Sequence, residues 1–142
     1  MLNNTFTLTE PEQQRLIEAA TKAIKSAYAP YSQFRVGAAL LTDTGEIIAG
    51  CNVENASYGL SMCAERNAIA NAIISNKSDT ENDTIVIKAI AVANSKNVPC
   101  SPCGACRQVI WEFGRDAVVI FLGNKGWQVS TIKQLLPAGF SL

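Results

Sequence analysis

The chain has 142 residues, 48% of them hydrophobic and 17% charged, a length and composition that fit one globular domain and exclude a disordered chain. Twelve basic residues cancel twelve acidic ones, so there is no cationic surplus of the kind that binds nucleic acid, and no apolar run approaches the length of a membrane span. Histidine is absent, which removes Ser-His-Asp triads, Cys-His pairs, H-E-x-x-H zinc sites and any imidazole base.

Residues 1–8 show no periodicity and read as a loose N-terminal arm. Thr9-Glu10-Pro11-Glu12 has the form of a capping box. Leu16, Ile17, Ala20, Ala23, Ile24 and Ala27 then recur at helical spacing, and the helix is expected to stop before Pro30. Val36 to Thr42 and Glu46 to Cys51 flank Asp43-Thr44-Gly45, which predicts a β-hairpin. Asn52 to Met62 reads as a polar loop. Cys63 to Asn76 is a second amphipathic helix, with Ala64, Ala68, Ile69, Ala72 and Ile73 on one side.

Ser78 to Asp83 reads as a loop, and Thr84 to Val92, rich in Ile and Val, as a buried strand. A loop over 94–102 leads into a third helix from about Gly104 to Phe113, with Gly114 as its C-cap. Ala117 to Leu122 is another buried strand, Asn124-Lys125-Gly126 a turn, and Trp127 to Val129 an edge strand. Thr131 caps a last short helix that ends before Pro137. The order α β β α β α β β α predicts an α/β protein, a single-domain α/β/α sandwich on a five-stranded mixed sheet spanning residues 1–142.

Five cysteines stand at 51, 63, 100, 103 and 106. An odd count with no basic, apolar leader at Met1-Leu2-Asn3-Asn4-Thr5 argues for reduced thiols and a cytoplasmic location. Cys63-Ala64-Glu65 opens the second helix and Pro102-Cys103-Gly104-Ala105-Cys106 opens the third. Helix N-termini favour thiolate over thiol. Three thiolates from two helix starts can hold one Zn²⁺ and leave the fourth tetrahedral position open, as catalytic zinc requires. Glu65, in the first turn beside a ligand, suits a proton shuttle. Arg66 lies at i+3 from Cys63 and Arg107 adjoins Cys106, and at least one guanidinium is expected to offset the thiolate charge by donating to sulfur.

Pro99-Cys100-Ser101-Pro102-Cys103 satisfies the same P-C-x-x-C pattern, so a ligand set of Cys63, Cys100 and Cys103 remains open. Cys103 and Cys106 are preferred, because Pro102 removes a backbone N–H from the other register. Cys51 and Cys100 then read as small apolar or semi-exposed residues.

From about Ala29 to Ser141 the chain resembles the cytidine deaminase family. The resemblance rests on Tyr28-Ala29-Pro30-Tyr31-Ser32, Phe34 to Ala39, Gly50 to Gly59, Cys63-Ala64-Glu65-Arg66, Ser101 to Gln108 and Leu135-Leu136-Pro137. It implies one Zn²⁺ per subunit on Cys63, Cys103 and Cys106, with Glu65 catalytic and Arg66 behind the ligands. The implied reaction is hydrolytic deamination of cytidine and 2′-deoxycytidine in pyrimidine salvage. Glu65 would take a proton from the zinc-held water and protonate N3 of the ring, hydroxide would add at C4, and Glu65 would return a proton to the leaving amine. The family's sugar-holding segment matches Asn52, Glu54 and Asn55, and Tyr58 lies in the same stretch. An amide and a carboxylate two residues apart at a strand end can also hydrogen-bond a 3′-hydroxyl on their chemistry alone, or Asn52 can simply cap the loop. Phe34 would stack on the nucleoside, and Phe140 would close a neighbouring subunit's site in a homotetramer. Free pyrimidine nucleosides are the implied partners, without nucleic acid or membrane.

Three other classes fit parts of the pattern. Blasticidin-type deaminases share the zinc motifs but not the Asn-x-Glu-Asn segment. A structural zinc module would recruit Cys100 or Cys51 as a fourth ligand. A thiol redox protein leaves Cys63-Ala64-Glu65 unexplained.

Overall fold

A computed structural model describes residues 6–76 and 83–142. The loop expected at 78–83 falls almost wholly outside them, as do residues 1–5 of the expected arm; Leu8, within the described part, packs against the core.

The helices and strands follow in the expected order: α1 Glu10–Ala23, β1 Val36–Thr42, β2 Ile47–Cys51, α2 Ala64–Ser75, β3 Ile87–Asn94, α3 Gly104–Phe113, β4 Val118–Gly123, β5 Gly126–Thr131 and α4 Ile132–Leu135. The five strands form one mixed sheet in the order β2-β1-β3-β4-β5. Only β3 and β4 run parallel, joined by the crossover through α3. The other neighbours are antiparallel.

Strand alternation divides the core between the two faces. Ala39, Leu41, Ala89, Ala91, Ala93, Val118 and Ile120 face α1, meeting Leu16 and Ala20. Ala38, Leu40, Ile90, Val92, Val119 and Phe121 face the other way, against Ala68, Ile69, Ile110 and Ile132 of α2, α3 and α4. Small residues let the helices approach closely. A Cβ on Gly37 would stand 2.0 Å from the Ala20 carbonyl oxygen, and one on Gly50 2.3 Å from the Ala68 nitrogen.

Element ends depart from the sequence expectation wherever a partner strand decides them. The first helix yields to a 3₁₀ turn at Ile24–Ser26, because the Tyr28 N–H is committed to the Asn52 carbonyl at 3.0 Å. The strand expected at Thr84 to Val92 lies at Ile87–Asn94, where β1 offers partners from Thr42 back to Val36. The edge strand is longer than Trp127 to Val129, since it pairs along all of β4. Gly114 is the C-cap of α3 as expected, but in extended backbone with a φ of −160°, and glycine is required there because a Cβ would meet the Ile87 carbonyl at 2.6 Å.

Candidate active site

Cys63 is the N-cap residue of α2 and Cys103 that of α3, each in extended backbone just ahead of its helix. Cys106 sits in the first turn of α3, and its backbone N–H donates to the Cys103 sulfur at 3.4 Å. The Cys63 and Cys103 sulfurs are 3.9 Å apart, and all three ligand atoms lie within 4.8 Å of one another. Tetrahedral zinc with Zn–S bonds of 2.3 Å sets its sulfurs about 3.8 Å apart, so the triad fits that ion. Cys100 and Cys51 lie outside this cluster, so the geometry groups Cys103 and Cys106 with Cys63.

The thiols do not titrate alike. A hydrogen bond from Cys106, aided by Arg66 and opposed by burial, draws Cys63 down to about 5. Donating to Cys63, together with burial, pushes Cys106 up. A metal ion entering the triad must displace that proton, which ties its affinity to pH. Arg66 donates through Nη2 to the Cys63 sulfur at 3.5 Å. Arg107 does not take up the charge-offsetting role: its donors reach Pro102, Ser101 and Leu135.

A cavity of about 290 Å³ opens beside the triad, its wall including Phe34, Asn52, Glu54, Cys63, Glu65 and Cys103. It lies at the end of the sheet where β2 and β3 finish and β1 begins, beside the starts of α2 and α3. Glu65 is only 4% exposed, and burial raises its carboxyl above the ordinary value, with the Cys63 charge adding to the effect. A carboxyl whose pKa is raised at a cavity wall can accept and return a proton.

The polar residues expected around the ligand are partly occupied by the chain itself. Asn52 accepts from the Val36 N–H through Oδ1 at 2.9 Å and donates from Nδ2 to the Phe34 carbonyl at 2.8 Å. One lone pair and one N–H of the amide are left over. Glu54 accepts from the Tyr31 and Ser32 N–H groups through Oε1 at 2.9 and 3.1 Å. The Ser32 hydroxyl, with those backbone bonds, lowers its pKa against burial, so it is an anionic acceptor. Asn55 caps the Ser57 N–H and does not line the cavity. Tyr58 is 77% exposed and edge-on to Tyr31, and Phe140 is 66% exposed. Both lie off the cavity of a single chain.

Ser32, Cys100 and Ser101 also line the cavity. Residue type gave no cue for the serines. Asn94, likewise overlooked, folds the β3–α3 loop by accepting from the Lys96 and Val98 N–H groups and donating to the Val98 carbonyl.

The sandwich with three thiols and a buried carboxyl at two helix starts defines a zinc-dependent hydrolytic deaminase domain. Residues 10–122 match the family model described as the cytidine and deoxycytidylate deaminase zinc-binding region. A cytidine deaminase of Halalkalibacterium halodurans is 43% identical over 132 residues, covering 92% of this chain and 95% of the relative. The crystal structure of cytidine deaminase from Mycobacterium tuberculosis superposes with a TM-score of 0.78 at 35% identity, covering 92% of this chain and 98% of that one. More distantly, a blasticidin-S deaminase of Bacillus cereus is 33% identical over 142 residues, with 96% of this chain and 97% of the relative covered. The chain belongs to the cytidine and deoxycytidylate deaminase family, and its Cys63, Cys103 and Cys106 cluster suits one zinc ion per subunit. Among the described residues no helix is long and apolar enough to cross a membrane.

Proposed function

We propose that this chain hydrolyses the exocyclic amine of free cytidine and 2′-deoxycytidine, releasing ammonia and the corresponding uridine. The observation that carries the reading is the buried Glu65 carboxyl sharing one small cavity with the Cys63 and Cys103 sulfurs. Cys63, Cys103 and Cys106 would hold the zinc, which would supply a water made acidic enough to attack at neutral pH. Glu65 is the catalytic residue: its carboxylate takes a proton from the attacking water and passes it to ring N3 as the C4–O bond forms, then carries the proton of the new C4 hydroxyl to the amine as the C4–N bond breaks and ammonia leaves. Arg66 holds the Cys63 sulfur and offsets the thiolate charge.

Phe34 stacks on the nucleoside from the cavity wall. The unused N–H and lone pair of Asn52, with the Glu54 carboxylate, bind the sugar hydroxyls. Asn55 keeps the 52–58 segment in shape, and Tyr58, off the cavity of a single chain, meets the nucleoside only as that segment closes on it. Phe140 completes the site of a neighbouring subunit in a homotetramer. A cavity of this volume is at the small end for ligand sites and suits a nucleoside better than a polymer. Residues 1–142 act as a single catalytic domain in the cytoplasm, returning free nucleosides to the pyrimidine pool.

The test is release of ammonia and uridine from cytidine by the zinc-loaded protein, with blasticidin S and a cytosine-containing oligonucleotide as parallel substrates. Turnover of cytidine that is abolished by a chelator and restored by zinc is expected. A zinc-replete protein inert toward both nucleosides, or one preferring either alternative, overturns the reading.

A further inference from the structure

The residue that follows the last thiol of the triad has a role of its own. Arg107 lies in α3 one position beyond Cys106, with its backbone N–H on the Cys103 carbonyl at 2.9 Å. Its guanidinium turns back under the start of the helix. Nε donates to the Pro102 carbonyl at 2.8 Å and Nη2 to the Ser101 hydroxyl at 3.0 Å. Nη1 reaches across to the Leu135 carbonyl, the last residue of α4, at 2.9 Å. One planar group thus holds the Pro102 carbonyl, the Ser101 hydroxyl and the end of α4 together, which ties the 101–102 segment down more tightly than a single contact could.

Both ends of this strut matter to the site. Ser101 and Cys103 line the cavity, and Cys103 is a member of the thiol triad. Leu135 leads into the C-terminal segment, which α3 grips further along. Gln108 donates to the Phe140 carbonyl at 3.5 Å, Trp111 donates to the Ser141 hydroxyl at 3.3 Å, and a Cβ on Gly139 would press on the Trp111 ring at 3.0 Å.

We infer that Arg107 is a positioning residue that sets the backbone entering the Cys103 turn and locks it to α4, so that metal retention depends on the guanidinium fork. The inference rests on Cys103 being a zinc ligand but not on which amine-bearing substrate is turned over. Partners behind metal ligands typically change metal affinity or activity by about 10–100-fold when removed.

The experiment follows zinc transfer from the intact holoprotein to a chromogenic chelator, alongside kcat and KM with cytidine under zinc saturation. Arg107→Met should release zinc at least about 10-fold faster than the parent. Arg107→Lys should behave like it, because a lysine keeps the charge but cannot span three acceptors. Ser101→Ala, which removes one contact and leaves the fold, should accelerate release by a smaller factor and raise KM more than it lowers kcat. Lys133→Ala breaks the α4 ion pair with Asp116, makes no contact with the turn, and should leave zinc release unchanged. Release from Arg107→Lys at the parental rate would reduce the role to charge and overturn the proposal. If Arg107→Met fails to fold, Arg107→Lys and Ser101→Ala decide it, parental zinc release in both being the negative result. A parent protein that binds no zinc would instead refute the ligand assignment, a distinguishable failure.

Discussion

Cys63 and Cys103 face each other across 3.9 Å, each the N-cap of its own helix and each separated from the other by 40 residues of chain. Two helices whose starts meet at one point bring two sets of unpaired N–H groups and two positive dipole ends to the same place. The thiolates gain there what a lone surface cysteine lacks. The third sulfur, Cys106, is held by the first turn of α3 and is buried, so the triad has an inner and an outer side.

The two P-C-x-x-C registers make opposite predictions about metal content. Cys106→Ser should lose zinc or bind it far more weakly, whereas Cys100→Ser should retain about one ion per subunit, because its sulfur is outside the cluster. Elemental analysis of both variants after dialysis decides. Loss of metal from both would point to a closed four-sulfur site and against an open coordination position.

Glu65→Gln separates a proton carrier from a ligand. The variant should stay folded, bind zinc stoichiometrically and lose at least about 10²–10⁴-fold in kcat, the range for removing a general acid–base. A zinc-free Glu65→Gln protein would show that the carboxyl helps to hold the metal.

Phe140→Ala tests whether sites are shared between subunits. Burying a Phe side chain against a partner contributes about 1.5–3 kcal/mol, and in this chain alone the ring is mostly exposed. The variant should raise KM for cytidine with zinc content unchanged, and sedimentation should show a looser oligomer. A fully active monomer with parental KM is the result that rules out sharing.

The α1 capping box sets a pH-dependent contribution to stability. The Thr9 N–H donates to Glu12 at 2.9 Å and Lys88 pairs with it at 3.1 Å. The Thr9 backbone bond first, and Lys88 second, lower the Glu12 pKa in the folded state. A lowered native pKa means stabilisation that is complete above the unfolded value of about 4.3 and fades as the pH falls through the native one. The melting temperature of Glu12→Gln should therefore lie below that of the parent at pH 7, and the difference should shrink toward zero below about pH 4. An undiminished difference at acid pH would show that Glu12 contributes by packing and not by charge.

Local chemistry made much of this protein legible before any coordinates. The capping box at Thr9, the Asp43-Thr44-Gly45 turn and the continuous apolar run of β4 act over a few residues, so their signals survive in one dimension. The same holds for Cys63, Glu65, Cys103 and Cys106, because a helix start orients whatever stands at its first positions. Other features depend on partners distant in sequence, and only the tertiary structure decided them. Strand β3 takes its limits from β1, and Gly114 is glycine because Ile87 passes behind it. Asn52 spends half of its amide on the backbone at 34 and 36, which its position in a loop does not reveal. Arg66 stands three residues after Cys63 and Arg107 directly after Cys106, yet Arg66 reaches sulfur while Arg107 reaches α4. A long side chain's destination is set by which acceptors the folded chain brings within its reach, and those acceptors are fixed only when the helices dock on the sheet.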